Sequence, residues 1–144
     1  MKVKAIPDGY QQVIPYLVVA DPSAVIAFLK ATFKGKLVEE MKGKDGLTNH
    51  AEVRIGDSVV MMGRAREPRK PMTAMLYVYV KDADATYKAA LKAGGVSVMA
   101  PMDQFYGDRS GAVRDSAGNE WWMASRKENL SSTELKKRAK VAGK

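Results

Sequence analysis

The chain of 144 residues has no cysteine and a single histidine. The first absence excludes disulfides, thiolate-bound metals and cysteine nucleophiles, and it fits a reducing, cytoplasmic setting. The second leaves His50 as the one imidazole available for metal binding or for proton transfer near neutral pH. Long apolar runs are lacking as well. Nowhere do about 18 apolar residues follow one another, and the opening MKVKAIPDGY has none of the apolar stretch that marks an export signal. The expectation is a protein that neither spans a membrane nor is exported. Acidic residues are the minority, 16 against 24 Lys and Arg, for a formal charge of +8. Much of the excess sits in GRAREPRKP (63–71) and KKRAKVAGK (136–144), a connector and a terminus. So dispersed a charge speaks for solubility and against a nucleic-acid surface.

What is present is a pattern written twice. PYLVVADPSAVIAFLKATFKGKLV (15–38) has the grammar of MLYVYVKDADATYKAALKAGGVSV (75–98): a strand, an Asp-led helix start, an amphipathic helix, a Gly stop and another strand. AEVRIGDSVVMMG (51–63) then matches GAVRDSAGNEWWMA (111–124), with Val53-Arg54 echoed by Val113-Arg114. Each half reads strand, helix, three strands. Val25, Ile26, Phe28, Leu29 and Phe33 form the apolar stripe of the first helix, and Ala83, Tyr87 and Leu91 that of the second. GRAREPRKP is the natural linker, which places one module at 1–66 and the other at 67–128. A short helix with a basic tail follows over 129–144, signalled by Ser131 three residues before Glu134.

PYLVV, HAEVRIGDSVVMM, DQFYGDRSGAVRDSAGNEW and the ENLSSTELKKR ending resemble the vicinal oxygen chelate superfamily. That superfamily includes glyoxalase I, extradiol dioxygenases and bleomycin-resistance proteins, and the likeness is closest to its PhnB-like branch. It spans nearly the whole chain. The resemblance implies an α+β fold of two tandem βαβββ modules whose curved mixed sheets enclose a cleft, in a homodimer.

The period-two rule then sorts each strand into a helix-covered face and a cleft face. Pro15, Leu17 and Val19 go under the helix, leaving Ile14, Tyr16 and Val18 in the cleft. Ala51, Val53 and Ile55 oppose His50, Glu52 and Arg54. Leu76, Val78 and Val80 oppose Met75, Tyr77 and Tyr79. Trp121 and Met123 fall under a helix, and Trp122 becomes a cleft wall, with a closed cavity or a subunit interface as its alternative setting.

Metal-dependent members of the superfamily carry His or Glu ligands at inward strand positions. Carried over, those positions are Ile14, Val60, Met75 and Trp122, none of which offers a hard divalent ion a nitrogen or carboxylate ligand. The reading is therefore a protein with no metal and no cofactor. His50 and Glu52 are the only acid–base candidates, equally able to serve as polar ligand contacts or as hydrogen-bonded sheet residues. The loop DQFYGDRSG (103–111) holds Phe105 and Tyr106, which suit a planar or apolar ligand, and Arg109, whose guanidinium suits a carboxylate or phosphate. The alternative for this loop is a turn fixed by Asp108 and Arg109, with its aromatics in a dimer contact.

The leading expectation is a cytoplasmic, homodimeric, metal-independent protein that binds a small molecule. That ligand is apolar or aromatic, with an anionic group admitted, and it lies against His50, Glu52, Met75, Tyr77, Phe105, Tyr106, Arg109 and Trp122. The alternative is a lyase, isomerase or dioxygenase of the same superfamily that holds a divalent metal through unconventional ligands such as His50 and Glu52.

Overall fold

Two aspartates set where both long helices begin. Asp21 and Asp82 have extended backbones, and their side chains accept from Ser23 N at 3.1 Å and Ala85 N at 3.0 Å, satisfying amides the helix itself leaves unpaired. The computed structural model describes residues 2–144. Residues up to Ala74, together with Ser116–Gly118, cluster as one unit; Met75–Asp115 with Asn119–Lys144 form the other.

The first unit runs β1 (Tyr16–Val19), α1 (Pro22–Phe33), β2 (Lys36–Lys42), β3 (Thr48–Ile55) and β4 (Ser58–Arg64). Its sheet has the order β1-β4-β3-β2, with β1 parallel to β4 and the other pairs antiparallel. The second unit repeats this as β5 (Met75–Tyr79), α2 (Ala83–Lys92), β6 (Val96–Asp103), β7 (Asp108–Arg114) and β8 (Glu120–Arg126), in the order β5-β8-β7-β6. A last helix, α3 (Ser132–Val141), begins at Ser131, whose hydroxyl accepts from Glu134 N at 3.1 Å. This is the α+β arrangement of two tandem βαβββ modules that the repeat predicts.

The module boundaries differ from the sequence expectation. The linker as far as Ala74 belongs to the first unit, because Met72 donates its amide to Val18 O at 3.0 Å and bridges that strand. Val18, expected in the cleft, is consequently buried, only 3% exposed. The C-terminal segment is not a loose tail but part of the second unit. Arg138 on α3 grips Glu128 through both terminal nitrogens, at 2.6 and 3.1 Å, and reaches Phe105 O at 3.5 Å.

Each sheet buries its helix-covered face. Under α1 lie Leu17, Val19, Ala51 and Val53, facing Val25, Ile26, Phe28 and Leu29 of the helix. In the second unit α2 packs over β6, β7 and β8 rather than β5. Leu76, Val78 and Val80 are only half-buried, whereas Leu17 and Val19 of β1 are buried. The buried stripe of α2 is Ala83 and Ala90, whose small side chains let the helix approach the sheet closely, while Leu91 stays exposed and Tyr87 bonds Ser97 Oγ through its hydroxyl at 2.6 Å.

The paired tryptophans separate. Trp121 is fully buried, and its indole N–H donates to Asp115 Oδ2 at 2.8 Å. Asp115 Oδ1 also accepts the amide of Asn119, so one buried carboxylate ties the β7–β8 turn to the core indole. Trp122, one residue on, is half-buried on the opposite face, paired with Tyr77 and Ala112. Trp121→Ala is expected to lose about 3 to 5 kcal/mol from cavity creation, and Trp122→Ala clearly less; denaturant melts of the two variants check the order.

Candidate functional site

The faces away from the helices carry two polar networks, one in each unit. In the first, β1 supplies Tyr16 and β3 supplies His50 and Glu52. Tyr16 pairs in register with Met61, and Met61 with Glu52, so these side chains share one face of the sheet. His50 Nε2 lies 2.8 Å from Glu52 Oε2, and its Nδ1 lies 3.0 Å from the Tyr16 hydroxyl. A carboxylate only accepts, so Nε2 carries the proton and donates, leaving Nδ1 to accept from Tyr16. Tyr10, from the segment before β1, donates its hydroxyl to Glu52 Oε1. Burial alone would raise the Glu52 pKa, but donation from His50 and Tyr10 outweighs it and holds the carboxyl below its usual range. The same bond to Glu52 pushes the Tyr10 phenol up. The result is a chain Glu52–His50–Tyr16 whose outer end, the phenol, is exposed. Such a chain can take a proton from Tyr16, or return one, without a metal.

The second network centres on Asp108, the first residue of β7. Asp108 is 2% exposed and lies on the face of Ser110 and Ala112. Its Oδ2 accepts from the hydroxyls of Tyr77 and Tyr79, each at 2.8 Å, and Arg126 Nη1 stands 3.4 Å from Oδ1. The Tyr106 hydroxyl lies 3.4 Å from that of Tyr77 and 3.5 Å from Ser110 Oγ. Desolvation and then these bonds raise the Tyr77 pKa, and the bond to Asp108 raises that of Tyr79. Around this buried carboxylate Met75, Tyr77 and Tyr79 are 62%, 40% and 59% exposed, an aromatic and thioether surface continued by half-buried Trp122. Trp122 anchors its indole N–H on Glu120 Oε1 at 3.3 Å.

Arg109 is a correction to the sequence reading. Residues 108, 110 and 112 share the open face, so Arg109 points to the helix side, where α2 presents Asp84. Arg109 Nε and Nη2 bind the two oxygens of Asp84 at 2.7 and 3.0 Å, and Nη1 reaches Asp103 at 3.2 Å. The fork drawn as a grip for an anionic ligand is filled by this protein's own carboxylates, and the Arg109 guanidinium holds the Asp84 carboxyl below its usual range. Neither does 103–111 form a long loop. β6 reaches Asp103 and β7 starts at Asp108, leaving a tight turn closed by Gln104 N to Asp108 O at 2.7 Å. Gly107, at φ +95°, turns the chain there, and its carbonyl accepts from Lys127 and Glu128. Phe105 and Tyr106 stand edge to face on this turn, 5.2 Å apart.

The positions carried over for metal also need one correction. Val60 pairs with Val53 on the helix-covered face and is buried, so the open-face residue is Met61, which matches Trp122 in register. The hairpin joining Arg54 to Val59 is one residue shorter than the one joining Arg114 to Glu120, and an error of one residue inverts the face. Ile14, Met61, Met75 and Trp122 offer a thioether at best, which does not fit a hard divalent cation. Among the described residues no three His, Asp or Glu side chains gather as a ligand set.

Tyr10, Tyr79 and Asp108 enter these networks without having been singled out as ligand contacts from sequence. The same two-residue period that sorted Trp122 extends from Ala112 back to Asp108, a signal that was available; nothing local marks Tyr10, which meets Glu52 across 42 positions.

With this geometry in place, comparisons supply the relatives. The family model described as Glyoxalase/Bleomycin resistance protein/Dioxygenase superfamily matches residues 10–123. Uncharacterized proteins of Mycobacterium bovis and Mycobacterium tuberculosis are each 34% identical over 120 residues, covering 74% of this chain and 78% and 69% of theirs. The crystal structure of TioX from Micromonospora superposes with a TM-score of 0.70 at 24% identity, over 81% of this chain and 98% of that one. The fosfomycin resistance protein FosX from Mesorhizobium loti gives 0.60 at 16%, over 86% and 94%. The two structural likenesses speak for the fold, and the family model covers both βαβββ units: the chain belongs to the glyoxalase/bleomycin resistance protein/dioxygenase superfamily.

Proposed function

We propose that the chain is a metal-independent small-molecule-binding protein, homodimeric and cytoplasmic, of the PhnB-like branch. Its ligand is apolar or aromatic and lies on the open face of the second sheet. The observation that carries this reading is the exposure of Met75, Tyr77 and Tyr79 beside Trp122, over the buried carboxylate of Asp108. A row of exposed large side chains on one sheet face is costly in water unless something covers it, and a few buried polar groups beneath it orient what binds. Phe105 and Tyr106 extend the same surface from the neighbouring turn. Arg109 leaves the ligand set, being held by Asp84, and His50 and Glu52 belong to the network of the first unit.

A second reading is favoured by one observation, the ordered chain Glu52–His50–Tyr16: acid–base chemistry at the exposed phenol. This enzyme reading needs no metal. Its mark is an activity that Tyr16→Phe abolishes and His50→Gln lowers, with the pH profile altered in the second variant.

Three measurements test the binding reading. A panel of planar aromatic compounds, followed by ligand-detected NMR, is expected to yield binders that Trp122→Ala and Tyr77→Ala lose while Arg109→Gln keeps them. Binding untouched in both aromatic variants overturns it. Metal analysis of untagged, dialysed protein is expected to find well under one equivalent per chain; a stoichiometric metal lost in His50→Ala would transfer the argument to a metalloenzyme. Sedimentation at micromolar concentration is expected to show a dimer, and a lone 15.8 kDa species counts against the homodimer.

A further inference from the structure

Two arginines in the first unit have nothing to hold. Among the described residues, every other arginine donates to an acceptor: Arg54 to Gly9 O, Arg64 to Asp45, Arg109 to Asp84 and Asp103, Arg114 to Glu120, Arg126 to Asp108 and Arg138 to Glu128. Arg66 and Arg69 do not. Their backbones exchange both hydrogen bonds, Arg66 N to Arg69 O at 3.0 Å and Arg69 N to Arg66 O at 2.6 Å, in an isolated antiparallel bridge. Residues directly opposite in such a bridge project to the same side of the ribbon. Two like charges held side by side this way repel, and an anion lying between them removes the penalty.

Both arginines line an open depression of about 270 Å³, together with Tyr16, Val18, Asn49 and Arg64. Its charged lining is those three arginines and the single carboxylate of Glu67, and the guanidiniums an anion would meet without a partner are those of Arg66 and Arg69. Arg64 is already steadied by Asp45 at 3.0 Å. Tyr16 lies across Gly63. A Cβ on that glycine would come 2.6 Å from the phenol oxygen, so the missing side chain is what lets the ring form this wall.

We propose that this depression binds a phosphate-type dianion carried on a small molecule, with Arg66 and Arg69 as the paired grips. Guanidinium forks suit the oxygens of such a group, and the size of the depression suits a headgroup with a short organic body against Tyr16 and Pro68. The proposal uses residues of the first unit only and stands apart from the aromatic face of the second.

The test is an NMR titration of the full chain with inorganic phosphate, with phenyl phosphate, and with acetate as a singly charged control. Phosphate is expected to shift the Tyr16, Arg66 and Arg69 amide resonances saturably, phenyl phosphate to bind more tightly, and acetate to bind more weakly. Arg66→Gln with Arg69→Gln is expected to weaken phosphate binding about tenfold or more, as the loss of charge-assisted hydrogen bonds implies. Both side chains are exposed, so this variant keeps the fold. Arg66→Lys with Arg69→Lys keeps the charge without the forks and is expected to fall between. Arg114→Gln, whose partner is Glu120, is expected to leave the affinity unchanged. Absence of saturable phosphate binding, equal affinity in the glutamine variant, or acetate binding as well as phosphate would each overturn the proposal. Trp122→Ala separates the two readings, since it removes aromatic binders and leaves the phosphate titration as it was.

Discussion

Each four-stranded sheet has one helix, and one helix covers one face. Everything chemical in this protein follows from that constraint. On the covered faces Ala51, Val53, Val113, Trp121 and Met123 are fully buried and apolar, with the Trp121 N–H met by Asp115. On the other faces strand alternation places His50, Glu52, Asp108 and Ser110 with no helix over them. Polar groups there must satisfy one another, and they do so through tyrosines, whose rings shield the strands while their hydroxyls reach inward.

The two units solve this problem with the same part and different partners. Tyr16 and Tyr77 hold equivalent places, opposite Met61 and Trp122. The first donates to an imidazole and the second to a carboxylate. Two inputs that differ between the units decide which. Tyr10, with no counterpart in the second half, clamps Glu52 from the leading segment, whereas Ala112 stands at the position matching Glu52, and the carboxylate of the second unit, Asp108, lies four residues along the strand and is met by Tyr77 and Tyr79. The repeated frame thus carries a Glu52–His50–Tyr16 chain in one unit and, with its carboxylate at a different strand position, an aromatic face around Asp108 in the other.

How far this was legible in the sequence depended on the range of each interaction. The Asp21 and Asp82 caps, the Val25 to Phe33 stripe and the opposition of Trp121 and Trp122 are local, and periodicity alone places them. The Arg109–Asp84 pair joins residues 25 positions apart on a strand and a helix, so the same guanidinium looked available for a ligand until the helix was in place. Val18 is buried where alternation placed it on the open face, and its strand is bridged by the backbone of Met72, a pairing no strand period contains. Leu91 failed for the opposite reason: its helical spacing was right, but α2 sits over β6 to β8 and leaves that side of the helix in water. Val60 was lost to a single extra residue in one hairpin.

Burying a carboxylate is costly unless donors surround it, and the choice of donor decides what the site can still do. Asp84, half exposed on α2, is met by a guanidinium, which offsets its charge. Glu52 is met by the Tyr10 phenol and the His50 imidazole, whose hydrogen bonds hold its carboxyl below the usual range against the effect of burial. Asp108 lies between these cases, bound closely by two phenols and loosely by Arg126 at 3.4 Å. Phenol donors therefore surround the carboxyl groups on the open faces, while the guanidiniums of Arg66 and Arg69 stay exposed in the first unit. On the proposed reading an anionic headgroup meets Arg66 and Arg69, whereas Asp108 offers such a group only a carboxylate. The aromatic face is left to neutral bodies whose hydroxyls or amines can meet a carboxylate.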